Sequence, residues 1–305
     1  MPISELTIGV LLLAVAPSLT LAGDPGSATK AVELGTLLER AGQYVAEYEN
    51  VSRDLVADET YRQLYWNSAR ALRARNLHSD VVFLMLPGSI RWTLFRDAYE
   101  VDGKKVRDRQ ARLERLFSES PATAVAKALA IVSEGARYNL GPVLRTVNVP
   151  PLALQFLHPD NQARFAFKRK GPCSIDDRAG VEVSFSETAR PTLVRDEARE
   201  DVPTQGRLCI DPATGAVLRT DVEFDLDHGA VEHLNWARIL VLYRRDAKLN
   251  AWVPSEMKET YQLNPTDANP KNPATHIEAT ARYADFRRLQ VATQESFRPA
   301  PQPSP

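Results

Sequence analysis

Recognised catalytic motifs are missing from this sequence, and cysteine is scarce in it. The chain of 305 residues has 2 cysteines, Cys173 and Cys209, which lack the close spacing of a redox CxxC pair or a zinc-binding cluster. No GxSxG nucleophile elbow, no glycine-rich or Walker phosphate loop and no HExxH motif is present. The sequence therefore predicts a protein that is not an enzyme and holds no cofactor.

An excess of charge of either sign is also missing. Lys and Arg together number 38 and Asp and Glu 39, which leaves a formal net charge of −1. A general nucleic-acid binder needs a concentrated basic surface, so we expect no nucleic-acid partner. The short basic run Lys168–Lys170 lacks interleaved aromatic residues and is typical of a solvated strand end rather than of a phosphate site.

The N-terminus carries an apolar run, Leu6–Ala16, that is shorter than the roughly 20 residues a membrane span needs. Small residues up to Ala22 match a signal-peptidase site, so residues 1–22 are predicted to be a cleaved signal peptide. Glu5 precedes the run where Lys or Arg is usual, and an uncleaved anchor or a buried helix stays the alternative. No cysteine follows the run, which argues against a lipoprotein. We expect a periplasmic or secreted protein that is not an integral membrane protein once processed.

The two cysteines have two interpretations. In an oxidising compartment, Cys173 and Cys209 are expected to pair as one disulfide. Two free thiols are the alternative, because spacing alone does not decide between them.

The rest of the chain divides into a linker, a domain and a tail. Residues 23–30 have the composition of a flexible linker, and an amphipathic helix is predicted over roughly 30–50. Residues 31–295 are predicted to form one domain, which includes a helical insert around 108–140. The proline-rich residues 296–305 are expected to be a disordered tail.

Strands are predicted along most of this domain. The continuously apolar run Val81–Leu86 is typical of a strand buried on both faces, and Arg91–Val101 is predicted to turn at Asp102-Gly103. After residue 160 the apolar period becomes two. Further strands are predicted near 165–168, 181–186, 207–211, 217–226, 252–263 and 275–287, with another marked by Leu234, Trp236, Leu240 and Leu242. Sequential strands with helices set apart predict the α+β class with an antiparallel sheet.

Polar side chains offer one weak candidate for a metal site. Asp225, Asp227, His228, Glu232 and His233 have suitable ligand atoms, but a polar hairpin loop between two strands explains the same residues. Asp58 and Glu59 are adjacent, so on a strand they face opposite sides and do not form a carboxylate pair. No metal is predicted.

Large apolar side chains are the remaining candidate for function. They either interdigitate as ordinary core or, where helices leave the sheet open, line a cavity for an acyl chain or a similar ligand. The candidates for this cavity are Phe83, Met85, Trp92, Leu94, Leu152, Leu154, Phe156, Trp236, Trp252 and Met257.

One segment carries a family resemblance. Arg207–Arg219, with its Ile-Asp-Pro-Ala-Thr-Gly turn, resembles a hairpin of exported proteins of the lipoprotein-carrier type, LolA and LolB. The segments Glu39–Val45 and Asn148–Leu154 also resemble a set of uncharacterised exported bacterial proteins. The resemblance implies an incomplete antiparallel barrel whose concave face is covered by helices, with an apolar ligand between them and no catalytic residues. The helical insert around 108–140 departs from the carrier pattern.

The sequence thus leads to three hypotheses for function. The first is a non-enzymatic periplasmic or secreted binder or carrier of a lipid or another apolar ligand. The second is an envelope module, on the same fold, that senses or binds a protein partner through its insert or an exposed sheet edge. The third is a metal-dependent hydrolase centred on His228 and His233.

Overall fold

The fold is built mainly from strands. A computed structural model describes residues 32–53, 55–66, 72–85, 92–109, 130, 133–141, 145, 147–196, 199–226, 234–263 and 275–288. Within these residues, 11 strands form one sheet. Their bounds are β1 Leu55–Trp66, β2 Leu72–Met85, β3 Trp92–Val101, β4 Lys104–Lys105, β5 Phe165–Ile175, β6 Arg178–Glu187, β7 Thr204–Ile210, β8 Val217–Asp225, β9 Leu234–Asp246, β10 Ala251–Leu263 and β11 Thr275–Arg288.

The sheet is antiparallel, curved and unclosed. Its strand order is β4-β3-β2-β1-β11-β10-β9-β8-β7-β6-β5, so each pair of neighbouring strands is consecutive in sequence except β1 and β11. β4 and β5 are its two edges, and within the described residues neither pairs with a further strand. The predicted α+β class with an antiparallel sheet is confirmed, and the unclosed sheet is compatible with an incomplete barrel.

Helix α1, Leu34–Ser52, lies across one end of this sheet. Its buried residues recur at helical spacing and include Leu37, Ala41, Val45 and Tyr48, as predicted for an amphipathic helix. Near its start, the Arg40 side chain donates to the carbonyl of Pro212 in the β7–β8 turn, at 2.6 Å.

The C-terminal end of α1 contacts strands β3 and β11. The indole N–H of Trp92, in β3, donates to the Ser52 hydroxyl at 2.9 Å, and Arg288, in β11, donates to the Arg53 carbonyl at 2.9 Å. The helix is therefore held at both ends by hydrogen bonds to the sheet. None of the described helices has both the length and the apolar composition to cross a membrane.

A second, smaller cover packs beside α1. The apolar segment before His158 forms a 3-10 helix, Leu152–Leu157, followed by the short helix α2, Pro159–Gln162. All six residues of the 3-10 helix are buried, and the Phe156 ring lies 4.9 Å from that of Phe165 and 5.4 Å from that of Phe185. This segment therefore fills the core over β5 and β6.

One prediction about a strand face is wrong. In β2, Val81 and Phe83 are fully buried but Val82 and Leu84 only partly, so the strand buries mainly one face. The strand marked by Leu234, Trp236, Leu240 and Leu242 is confirmed as β9, and its core-facing positions are Ala237, Ile239, Val241 and Tyr243. Both sets of β9 are apolar, and pairing with β8 selects between them, since Ile239 lies opposite the buried Val222.

Cys173 and Cys209 form a disulfide between β5 and β7, passing over the intervening strand β6. Strands two apart in a flat sheet are separated by about 9.5 Å. The Cα atoms of the two cysteines are only 6.1 Å apart, so the sheet folds sharply around β6 here. Gly180 makes this possible, because a Cβ atom there would lie 2.7 Å from the Cys209 sulfur and 3.0 Å from that of Cys173.

Several predictions fall outside the described residues. These are the signal peptide, the linker and the tail, most of the helical insert, and residues 227–233 of the candidate metal site. The limits of the domain at 31 and 295 stay a prediction.

Candidate functional site

The covered end of the sheet is not completely filled. A crevice of about 270 Å³, here called the α1 crevice, remains between α1 and the strand ends. Its helical wall is formed by Tyr44, Glu47, Tyr48 and Val51, which share one face of α1 because they follow the i, i+3, i+4, i+7 spacing. The volume lies close to the lower limit for small-molecule sites, about 300 Å³.

The opposite wall comes from strand ends that meet at this edge of the sheet. β6 starts, β8 starts and β9 turns into β10 at the same end, so residues distant in sequence converge. The lining residues on this side are Arg178, Thr214, Ala216, Arg245, Asn250, Ala251 and Trp252.

The β7–β8 turn sets the distance between the two walls. Gly215 has a φ of +75°, and a Cβ atom there would lie 2.3 Å from the carbonyl oxygen of Arg40. Only glycine meets both conditions without strain. Asp211 stabilises the same turn, since its carboxylate accepts from the Ala213 amide at 2.8 Å. The Ile-Asp-Pro-Ala-Thr-Gly segment is therefore the docking point of the helix.

Two tyrosine hydroxyls are left without a partner beside the crevice. The hydroxyl oxygens of Tyr44 and Tyr48 are buried and make no hydrogen bond to any described residue. Burial raises the pKa of both phenols, for Tyr44 with a further contribution from Tyr48 and against the opposing effect of Arg245. Both therefore stay neutral and can donate. A buried polar group without a partner costs roughly 1–3 kcal/mol.

Two arginines stand at the rim of the α1 crevice. The Arg178 guanidinium carbon lies 5.1 Å from the centroid of the Trp252 ring, and its Nε donates to Asp211 at 3.1 Å. The exposed Arg245 donates to the amide oxygen of Asn250 and pairs with no carboxylate among the described residues. The crevice thus joins aromatic and aliphatic walls to cationic donors, and Glu47 is its acidic residue.

A separate buried polar cluster lies on the strands far from the crevice. Arg96, on β3, makes a two-pronged ion pair with Glu59, on β1, at 2.5 and 2.9 Å, and both side chains are almost fully buried. Burial disfavours the charged guanidinium, but the carboxylate of Glu59 outweighs it and raises the pKa of Arg96. The neighbouring Asp58 points to solvent and pairs with Arg287. The prediction that Asp58 and Glu59 face opposite sides is confirmed.

The same cluster fastens the segment before the 3-10 helix to the sheet. Arg145 donates to the side-chain oxygen of Gln63 and stacks on the ring of Tyr261, 5.3 Å from its centroid. The Tyr261 hydroxyl in turn donates to Glu259 at 2.6 Å. Two arginines, Arg96 and Arg145, thus face two glutamates, and the cluster carries no net charge. Its cavity, near Arg96 and Arg145, is only about 10 Å³, so it suits one water molecule at most.

The predicted cavity residues do not converge on one site. Trp252 lines the α1 crevice, and Trp92 lies behind it, with its ring 6.2 Å from that of Tyr48. Trp236 is half-buried outside the core. The others are packed in the core or against it, namely Phe83, Met85, Leu94, Leu152, Leu154, Phe156 and Met257. A ligand contact at these positions stays a prediction.

Most lining residues of the crevice escaped the sequence reasoning. Tyr44 and Tyr48 lie on the helix predicted over roughly 30–50, and Val51 lies just beyond its predicted end; their i, i+4, i+7 spacing is the signal that could have identified this wall. Arg178 and Arg245 had no signal, because only the tertiary pairing of the strands brings them to the helix. Within the described ranges, no three His, Cys, Asp or Glu side chains are grouped so as to hold a metal ion.

Comparisons with known proteins place this chain beside distant solved structures. No protein-family model and no curated protein matches it. A DUF1329 family protein from Desulfovibrio piger is similar at 7% identity and a TM-score of 0.33, over 82% of this chain and 92% of that one. A LolA superfamily protein from Nitrosomonas europaea is similar at 12% identity and a TM-score of 0.29, over 86% and 96%. The Pseudomonas aeruginosa MucA/MucB complex contains a chain similar at 9% identity and a TM-score of 0.20, over 82% and 99%. Proteins of the type that the sequence resembles are thus among the similar structures.

Proposed function

We propose that this protein is a non-enzymatic binder that takes a small amphipathic molecule, with an apolar body and an acidic head, into the α1 crevice. The observation that carries the proposal is the pair of buried, unpartnered hydroxyls of Tyr44 and Tyr48 beside an open volume. If the crevice served only for packing, both tyrosine hydroxyls would be expected to have a hydrogen-bond partner, as buried polar groups in proteins usually do.

The chemistry of the walls supports an amphipathic ligand. Tyr48, Val51 and Trp252 offer apolar surface to a chain or ring, while Arg245 at the rim offers a guanidinium to an acidic head. Arginine binds carboxylate and phosphate groups in a two-pronged geometry, so either head would suit it. The core residues that the structure describes pack against one another, and we therefore place the guest in the crevice.

The disulfide supports an exported protein. Disulfides persist in oxidising compartments such as the periplasm or the extracellular medium. The bridge between Cys173 and Cys209 therefore agrees with the leader predicted over residues 1–22, and we place the mature protein in the periplasm or outside the cell. The curved sheet with α1 across its end supports a cover of helices on its concave face, with the ligand between cover and sheet.

A titration tests the proposal directly. Purified, delipidated protein is titrated with a dansyl-labelled undecanoic acid, and we expect saturable fluorescence enhancement. Trp252→Ala is expected to weaken binding by about tenfold, since a buried aromatic anchor contributes more than 1 kcal/mol. Trp236→Ala is the matched control, because it removes a tryptophan outside the crevice and is expected to leave affinity unchanged.

A comparison of the free acid with its methyl ester tests the role of the acidic head group. Arg245→Gln is expected to weaken binding of the free acid and to leave binding of its methyl ester unchanged. No saturable uptake by the delipidated protein, or equal losses for Trp252→Ala and Trp236→Ala, would refute the proposal.

A further inference from the structure

We propose that the opposite face of the sheet, along edge strand β5, binds an extended acidic polypeptide by strand addition. This face carries a groove of about 900 Å³ across β5 to β9, called here the outer groove. The proposal is independent of the α1 crevice, because no residue is shared between the two linings.

The floor of the outer groove is set by strand register. Lys168 lies opposite Ser184, Ser184 opposite Arg207, Arg207 opposite Asp221 and Asp221 opposite Leu240, so one row of side chains crosses five strands on the same face.

The groove carries a local surplus of positive charge in a chain that is almost neutral. Its lining holds five basic side chains, among them Arg207, Arg219 and Arg238, against three acidic ones. Glu182 is shared by Arg207 and Arg219, at 3.3 and 2.8 Å, so this group of three keeps one positive charge.

The surplus is concentrated on the edge strand. Lys168 and Lys170 are exposed, line the groove and make no ion pair with any described residue. Both face the outer groove, although a β-bulge between Arg169 and Gly171 leaves Lys170 without a partner residue on β6. Acidic side chains on a partner strand would meet both lysines as opposite-charge cross-strand pairs.

The edge itself favours a polypeptide over other polyanions. β5 is the last strand of the sheet, and no described strand pairs with its outer side. An added strand gains main-chain hydrogen bonds there, as in other β-augmentation complexes. The groove offers no exposed aromatic side chain among its lining residues for a base to stack on, as a single-stranded nucleic acid would need. A second copy of the chain would place its own lysines against Lys168 and Lys170.

Fluorescence anisotropy with the full chain tests the proposal. The probes are three labelled peptides of equal length, which alternate Glu with Thr, Lys with Thr, or Glu with Pro. The Glu–Thr peptide is expected to bind saturably and more weakly as salt is raised, because surface ion pairs are screened. The Lys–Thr and Glu–Pro peptides are expected to bind at least about tenfold more weakly, since one has the wrong charge and the other lacks the amide donor at every second residue and is stiffened by proline.

Matched variants locate the site. Lys168→Glu/Lys170→Glu is expected to weaken binding of the Glu–Thr peptide by at least about tenfold. Lys104→Glu/Lys105→Glu makes the same charge change on the other edge strand, β4, and is expected to leave the affinity within about twofold. Lys168→Gln/Lys170→Gln, which adds no repulsion, is expected to give an intermediate loss.

Three outcomes would overturn the proposal. Absence of binding by the Glu–Thr peptide would mean that the lysines only keep the edge from pairing. Equal binding of the Glu–Pro peptide would exclude strand addition, and equal losses for the variants on β4 and β5 would exclude the outer groove.

Discussion

Reduction of the Cys173–Cys209 disulfide is expected to lower the free energy of unfolding by about 3.8 kcal/mol. The bridge joins residues 36 apart in sequence. In the chain-entropy model, a closed loop of this length removes about 13 cal/mol/K of entropy from the unfolded chain, which corresponds to the stated value at 25 °C. The cysteines are already held in adjacent hairpins of the folded sheet, so reduction leaves most folded-state contacts in place.

Urea unfolding of the oxidised and the reduced protein measures this difference. Thiol titration confirms that two thiols are free after reduction. The dependence of the unfolding free energy on urea is expected to steepen, because the unfolded chain without the bridge exposes more surface. Cys173→Ala/Cys209→Ala serves as a second comparison. This variant is expected to be slightly less stable than the reduced protein, because Cys209 is fully buried and removal of its sulfur leaves a void. A loss below about 1 kcal/mol with both thiols free would refute the loop-entropy reasoning.

Three further predictions concern stability. Gly180→Ala is expected to lower the free energy of unfolding by about 1–3 kcal/mol, because the added methyl group overpacks the site. Urea unfolding is expected to show a smaller loss for the reduced protein, in which the two sulfurs can separate. An equal loss in the oxidised and reduced proteins would contradict the role assigned to this glycine. Arg96→Met is expected to lower the free energy of unfolding by about 3–5 kcal/mol, because it leaves Glu59 buried without its partner. The double variant Glu59→Leu/Arg96→Met is expected to recover most of that loss. A double variant no more stable than Arg96→Met would speak against a compensated ion pair. For Asp211, burial acts to raise the pKa, but the Ala213 amide and Arg178 outweigh it and lower the pKa. The carboxylate therefore stabilises the fold above its ordinary pKa of 3.8, and this contribution is lost as pH falls through the lowered value. Asp211→Asn is expected to cost about 1 kcal/mol at pH 7, and the difference from the wild type should disappear at acidic pH in a stability–pH series.

Much of the fold was accessible from local patterns. The strand β8 alternates apolar and charged residues along its length, and Val222 and Phe224 are buried as that alternation predicts. The helix α1 follows from its apolar spacing. Such elements are set by neighbours in sequence, so a single chain suffices to predict them.

The parts that escaped prediction depend on distant contacts. Strand β1 has Glu59 and Gln63 on its buried face, which hides the alternation that marks a strand. These polar residues are tolerated there because Arg96 and Arg145 reach them from elsewhere in the chain. The α1 crevice likewise depends on the convergence of strand ends, and no local pattern brings Arg178 near Tyr48.

The pairing of β1 with β11 joins the beginning of the domain to its end. Tyr61 lies opposite Ala281, a contact between residues more than two hundred positions apart in sequence. The middle of the sheet is therefore the last part that a growing or translocating chain can complete, since β11 must arrive before β1 has its second neighbour. A chain that stops before β11 would leave two smaller sheets with open edges on β1 and β10, and both would be prone to pair with other molecules.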